Sequence, residues 1–312
     1  MITRDIRFIQ PATVDEALSA WADAVQRSEQ PAWMGGGTEL VTQARDGKSQ
    51  ADVLIDTKRI SECTAFREDS ARRELVIGSA VRLTHLPTFP LLLCCAAGVA
   101  DRTVRNSITL GGNICGMLAY REAALPFLLL EGTVELAGPD GRRQVPMQEI
   151  FNKRLQKRDD EVVLSFRINS ETIAALGEET MRGARTYGPV TAGGHGTGGG
   201  WFYRRRTQEP RVDYPVVTVA MARVEGEIRV AHTGAFGYPV RATAIETVLA
   251  REATSAGSPV PRSLVEEAVD ADSRTFKSDF RASAEYRREV TIQAIATGLQ
   301  FLHHKTIEEP VL

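Results

Sequence analysis

Two glycine runs, Gly35-Gly36-Gly37-Thr38 and Thr109-Leu110-Gly111-Gly112-Asn113, constrain this chain more than any other feature. Each follows an apolar stretch, and each has a threonine within two residues of its glycines. Glycine lets several backbone N–H groups approach an anion with no side chain in the way, and a helix N-terminus nearby adds a favourable dipole. One isolated Gly-Gly is ordinary turn punctuation. Two such loops are expected to lie on either side of one ligand as a pyrophosphate cradle. Lys plus Arg number 38 against 40 for Asp plus Glu, a formal net charge of -2. Phosphate must therefore be held by backbone N–H groups, and nucleic acid, which needs a concentrated positive face, is not an expected partner.

The 312 residues exceed what one core carries, since single cores stop growing at about 250 residues, so two or three domains are expected. A first helix starts at Thr13, with Glu16 placed to complete a capping box and Val14, Leu18, Trp21, Ala22 and Val25 as its apolar face. Pro31 leads through Trp33 into the first glycine loop, and Val53 to Ile55 form a short buried strand, a β–α–β-like rhythm. Strands are expected at Leu75 to Ile77, Thr133 to Leu136 and Val162 to Ile168, and helices at Leu91 to Ala100 and Glu122 to Leu130. Pro139-Asp140-Gly141 and Glu225-Gly226 read as hairpin turns. Residues 183–200, rich in glycine, read as a mobile loop or domain boundary. The tail is mainly helical, with Ser263 to Val269 and Ala284 to Leu302 clearest.

Other motifs fall away on context. Gly194-His195-Gly196-Thr197-Gly198-Gly199 fits the Rossmann fingerprint literally, but no buried strand precedes it and Arg204-Arg205-Arg206 follows in place of an amphipathic helix. Gly47-Lys48-Ser49 lacks the earlier glycine and the leading strand of a Walker loop. Cys63, Cys94, Cys95 and Cys115 form no Cys-x-x-Cys pair and read as reduced thiols of a cytoplasmic protein. A metal site within the chain is not expected. No run of about 18 apolar residues is present and the N-terminus lacks an apolar signal core, so neither a membrane span nor a secretory leader is expected.

Gly36-Gly37-Thr38-Glu39-Leu40 together with Thr109-Leu110-Gly111-Gly112-Asn113-Ile114 resembles the FAD-binding (medium) subunit of the xanthine dehydrogenase and carbon monoxide dehydrogenase family. The likeness extends to Ile77-Gly78-Ser79-Ala80-Val81, Asp160-Glu161-Val162, Pro239-Val240-Arg241-Ala242 and Arg281-Ala282-Ser283-Ala284-Glu285-Tyr286-Arg287. It implies an α/β (α+β) fold: a two-subdomain FAD-binding region of the PCMH type over 1–57 and 58–178, then a C-terminal α/β domain with a small antiparallel sheet over 179–312. It also implies that Met34, Gly35, Gly36, Gly37, Thr38 and Glu39 and, from the second loop, Thr109, Leu110, Gly111, Gly112 and Asn113 wrap the FAD diphosphate. Glu122 stands where the family usually has a cofactor-binding Asp, Val162 stands beside the flavin, and Tyr203, after Phe202, takes the slot of the family's missing lysine, with Arg204 next to it to replace the charge.

On this resemblance no residue of the chain is catalytic. The chain is an oxidoreductase subunit of a heterotrimer, relaying electrons from [2Fe-2S] clusters on a small subunit to NAD, oxygen or another carrier. Substrate is oxidised at the molybdenum cofactor of a large subunit. Met117-Leu118-Ala119-Tyr120-Arg121 departs from the family's usual run after the second loop. A self-sufficient FAD oxidase, or a flavin-poor scaffold subunit, are the alternatives.

Overall fold

The structure is a computed structural model, and it describes residues 5–86, 89–178, 181–182, 190–197, 199–209, 212–252 and 260–303. The chain divides into two compact units. The first comprises Met1–Pro87, Asp101–Met117 and Glu131–Asn169; the second comprises Thr88–Ala100, Leu118–Leu130 and Ser170–Leu312.

The first unit opens with β1 (Arg7–Ile9), α1 (Val14–Gln26), β2 (Pro31–Met34), α2 (Thr38–Arg45) and β3 (Val53–Asp56). Its three strands form a parallel sheet in the order β1-β3-β2. The expected capping box starts α1: the Glu16 N–H donates to Thr13 Oγ1 at 3.2 Å, and the Glu16 carboxylate accepts from the Ala12 N–H at 2.7 Å. The buried face differs from the expected one. It runs through Val14, Ala17 and Ala24, while Val25 is 54% exposed, because the small alanines let α1 approach the sheet closely.

The rest of this unit is a five-stranded antiparallel sheet in the order Phe66–Asp69, Glu74–Gly78, Val162–Asn169, Thr133–Gly138, Gly141–Pro146. Gly138 and Gly141 close the expected hairpin turn. Val53 and Ile55 of β3, Ala17 of α1 and Leu164 of the larger sheet belong to one core, so the two sheets share it. The strand Val162–Asn169 carries a bulge between Val163 and Ser165 against Thr133–Gly138. That irregularity turns the Val163 and Leu164 carbonyls toward Ser79, whose hydroxyl and N–H donate to them at 2.6 and 2.9 Å.

The second unit is built on a six-stranded antiparallel sheet in the order Met181–Arg182, Val190–His195, Gly199–Thr207, Pro215–Val224, Glu227–Thr233, Val240–Arg241. Helices Pro90–Ala97, Leu125–Leu129, Thr243–Glu252 and Ala284–His303 pack on it. Pro215–Val224 is accordingly buried almost throughout and shows no alternation. Glu225 and Gly226, with φ of 52° and 88°, make the expected tight hairpin turn.

Two segments differ from the sequence reading. The stretch expected as a loose loop contains the strand Val190–His195 and the start of Gly199–Thr207; residues 183–189 and 198 lie outside the described residues. Its glycines are packing sites: a Cβ on Gly193 would overlap the Phe301 ring, and one on Gly194 would overlap the Glu178 carbonyl oxygen. The first expected central helix stops at Ala97, with Gly98 beside Arg205, and the second begins as a 3-10 turn, Glu122–Ala124, before Leu125–Leu129. Near the C-terminus, the motif that carried part of the resemblance is structural. Arg287, wholly buried, donates to the Gly234 carbonyl at 2.8 Å and to Asp279 at 2.6 Å, and to the Val216 carbonyl.

Candidate functional site

The first glycine loop leaves the end of β2 and turns into α2 through Gly37, whose φ of 72° few other residues adopt cheaply. No side chain caps α2. The N–H groups of its first turn therefore have no intrahelical acceptor. Residues after β3 set the orientation of the loop: Thr57 Oγ1 donates to the Met34 carbonyl at 3.3 Å, and Lys58 Nζ to the Gly35 carbonyl at 2.7 Å. In a trans peptide the C=O and the following N–H point opposite ways. Holding those two carbonyls thus aims the Gly35 and Gly36 N–H groups away from Thr57 and Lys58. Lys58 is itself held at 2.7 Å by Asp56, which is 1% exposed.

The second loop is a scaffold of a different kind. Thr109 caps the short helix Leu110–Cys115, its Oγ1 accepting from the Gly112 N–H at 3.1 Å. Leu110 donates to the Val81 carbonyl, Gly111 to the Ser79 carbonyl at 2.7 Å, and Asn113 to the Thr109 carbonyl. The main-chain donors of this loop already have acceptors inside the protein. Its contribution is a surface without side chains plus the Thr109 hydroxyl proton.

The two loops meet. A Cβ on Gly35 would overlap Thr109 Oγ1, one on Gly36 would overlap the Ser107 carbonyl oxygen, and one on Gly112 would come to 3.9 Å from the Gly36 nitrogen. Glu39 joins them from the far side, its carboxylate accepting from the Met117 N–H. Met34, Gly35, Thr109, Gly111, Gly112 and Val162 all line one cavity of about 910 Å³. Gly36, Gly37, Thr38, Glu39, Leu110 and Asn113 flank it in the same two loops.

Several cavity residues gave no functional signal in the sequence. Ser79 underlies Gly111, and Trp21, Trp33 and Lys157 line the wall. Burial pushes the Lys157 ammonium below its usual pKa against the pull of Cys115, Asp159, Asp160 and Glu161. The wall from Lys157 to Asp160 is fixed by Glu161, which takes a two-point contact from Arg143 at 2.7 and 2.9 Å and the Arg158 N–H at 2.8 Å. The Arg143 contact, above all, holds the Glu161 carboxyl below its ordinary range.

Glu122 and Tyr203 lie in the second unit, each 1% exposed. Glu122 Oε1 accepts from Thr218 Oγ1 at 2.8 Å, Arg205 Nε at 3.1 Å and the Tyr203 hydroxyl at 3.2 Å. Burial, then the Glu122 charge, raises the Tyr203 phenol well above its ordinary value. These are groups of a satisfied internal network. Among the described residues no group of three or more His, Cys, Asp or Glu side chains is arranged to hold a metal ion, and no helix is long and apolar enough to cross a membrane.

A family model described as the FAD binding domain in molybdopterin dehydrogenase matches residues 4–169. The chain belongs to that family. The matched span contains both glycine loops and every residue that lines the cavity. The xanthine dehydrogenase FAD-binding subunit of Escherichia coli O157:H7 is 27% identical over 166 residues, 50% of this chain and 54% of that protein. The nicotinate dehydrogenase FAD-subunit of Eubacterium barkeri is 28% identical over 165 residues, 50% of this chain and 53% of that one. Thus this chain spans about half the length of the first curated relatives that it matches. The nicotine 6-hydroxylase medium subunit of Paenarthrobacter nicotinovorans is 26% identical over 305 residues, 93% of this chain and 94% of that relative.

A chain of carbon monoxide dehydrogenase from Hydrogenophaga pseudoflava shares the fold, with a TM-score of 0.75 at 23% identity, over 97% of this chain and 98% of that one. Membership of the molybdopterin dehydrogenase FAD-binding family makes FAD the cofactor of the domain at residues 4–169. The geometry fits that cofactor. A dinucleotide's diphosphate needs N–H donors at a surface without Cβ atoms, and the junction of Gly35, Gly36 and Gly112 has no room for one.

Proposed function

We propose that this chain is the FAD-carrying electron-transfer subunit of a molybdenum hydroxylase. The observation that carries the proposal is the convergence of two glycine loops, 74 positions apart between Gly35 and Thr109, on one cavity. The residue assignment follows from the donors. Gly35, Gly36, Gly37, Thr38 and Glu39 present N–H groups to the diphosphate, with the first turn of α2 adding its dipole. Thr109 donates its hydroxyl proton, while Leu110, Gly111, Gly112 and Asn113 keep the opposite side close and bare. Met34 and Val162 supply apolar wall. Glu122 and Tyr203, proposed by resemblance as cofactor-binding, are hydrogen-bonded to each other within the second unit.

Bound FAD would supply the redox chemistry, taking electrons from [2Fe-2S] clusters of a small partner subunit and handing them to NAD, oxygen or another carrier. The protein's residues position the cofactor and tune it by charge and hydrogen bonding; they carry no acid–base step. Molybdenum would belong to a large partner subunit, in the cytoplasm. The domain limits 1–57, 58–178 and 179–312 are proposed with it.

An absorbance spectrum of the full chain purified with its co-purifying partners tests the reading. Flavin bands, released as FAD on denaturation and lost in the Gly111→Val/Gly112→Val variant, are the expected result. Iron–sulfur and molybdenum signals from two further chains complete it. A colourless protein that takes up no added FAD overturns it.

A further inference from the structure

The cavity holds a cation that its own walls do not neutralise. Two basic side chains line it among the described residues, Lys157 and Arg158. Arg158 is committed to acids, pairing with Asp140 and, at 3.2 Å, with Asp160. Lys58, which holds the Gly35 carbonyl, is paired with Asp56 at 2.7 Å. Lys157 differs. Among the described residues its half-buried ammonium has one hydrogen bond, to the Arg158 carbonyl at 3.0 Å, and no ion pair. An ammonium has three donors, so two remain for whatever fills the cavity.

Its place is set by the second glycine loop. Lys157 follows the short strand Arg154–Leu155, which packs on the helix Leu110–Cys115. Gly112 and Cys115 are neighbours one turn apart on that helix, and both line the cavity. Cys115 is the titratable side chain that acts most strongly on the Lys157 ammonium, ahead of Asp159, Glu161 and Asp160. One helical turn is about 5 Å, so the ammonium stands beside the bare glycine face.

Resting on the FAD reading above, we propose that Lys157 is the counter-ion of the FAD diphosphate, the side-chain charge in a cradle otherwise made of main-chain donors. The chemistry of the ligand decides what the ammonium pairs with. In oxidised FAD the isoalloxazine, the ribityl chain, the ribose and the adenine are uncharged near neutral pH, and the negative charge sits on the diphosphate. The second loop has no donors to spare on its main chain, since Leu110, Gly111, Gly112 and Asn113 bond within the protein. The first loop offers N–H groups and no cation. Lysine suits the place because it acts as a compact point charge on a flexible stem and needs no planar two-point fit. Nothing in the sequence marks it, since it heads the charged run Lys157-Arg158-Asp159-Asp160-Glu161.

The test is an equilibrium titration of the flavin-free full chain with FAD, read by flavin fluorescence, at NaCl concentrations from about 0.05 to 0.5 M. Affinity of the unaltered protein is expected to fall as salt rises, because screening weakens a charge pair that is only partly buried. Lys157→Met keeps the apolar stem and drops the charge. It is expected to bind FAD roughly tenfold more weakly at low salt and to lose most of the salt dependence. Lys157→Arg restores the charge and should recover part of both, which separates lost charge from poor folding. Affinity lost in Lys157→Met with the salt dependence unchanged overturns the inference, since packing then explains the loss, and spares the FAD reading. Equal FAD affinity in the unaltered protein and Lys157→Met does the same. A protein that takes up no FAD at any salt concentration overturns both.

Discussion

The Met117 N–H donates to both carboxylate oxygens of Glu39, at 3.1 and 3.2 Å. Gly116 makes room for this, since a Cβ there would come to 2.7 Å from Glu39 Oε2. The helix after the first glycine loop is thus tied to the residue two places beyond the end of the second loop's helix. The spacing of the cradle rests on that tie and on the glycine contacts beneath it.

Replacing Glu39 by Gln keeps one acceptor oxygen but removes the charge that strengthens the contact. Hydrogen bonds to charged groups are worth about 1.5–3 kcal/mol, so FAD affinity should fall roughly tenfold or more while the fold survives. Equilibrium FAD titration alongside thermal unfolding checks this. An unchanged affinity would mean that the loops hold their separation without Glu39.

Gly36→Ala makes a sharper demand. Its Cβ would overlap the Ser107 carbonyl oxygen and come to 2.8 Å from the carbonyl carbon, both main-chain atoms that cannot swing aside. The loops must separate, and FAD retention should drop below detection by absorbance. Gly47→Ala is the matched control, since no atom lies within 4 Å of the added carbon there, although φ is +70°. It should keep its FAD and lose roughly 1–2 kcal/mol of stability to the strained backbone.

The sequence made the cradle legible because its requirement is local: glycines, a threonine cap and flanking apolar runs are all neighbours in the chain. The capping box of α1, the turn at Pro139-Asp140-Gly141 and the long C-terminal helix were legible for the same reason. What could not be read depends on distant partners. The Val162–Asn169 bulge holds Ser79, which holds Gly111, across 84 and 32 positions of chain. Gly193 looks like a flexible-loop residue until Phe301 arrives against it. Glu122 carried a cofactor role by resemblance alone, and only the fold shows the Arg205, Tyr203 and Thr218 donors around it.

His232 should give the second unit an acid-sensitive step. Its ring is 1% exposed and Nδ1 has no hydrogen-bond partner among the described residues. Burial pushes its pKa from 6.5 down to about 4, with Asp272 opposing and Arg274 assisting. The unfolded chain therefore takes up a proton before the folded one does. Stability from this residue is complete above about pH 6.5, and falls by about 3 kcal/mol as pH drops toward 4, at about 1.4 kcal/mol per pH unit. Denaturant unfolding of the unaltered protein and His232→Leu between pH 7.5 and 4.5 checks it, the two curves converging as pH falls. Parallel curves would show that the ring accepts its proton in the folded state.

The Glu122 network separates a structural role from a cofactor role. Arg205 is 3% exposed, and its Nε lies 3.1 Å from Glu122 Oε1. Removing the carboxylate takes a hydrogen-bonded counter-ion away from a buried guanidinium, which typically costs up to about 3–5 kcal/mol. Glu122→Gln should therefore lower the unfolding midpoint sharply. Pairing it with Arg205→Met should restore part of the loss, since the stranded charge is gone. If Glu122 acts only through this core, FAD affinity measured well below the unfolding midpoint stays within a few-fold in both variants. A large loss of FAD affinity in the stable double variant would instead place the carboxylate in the cofactor's own shell.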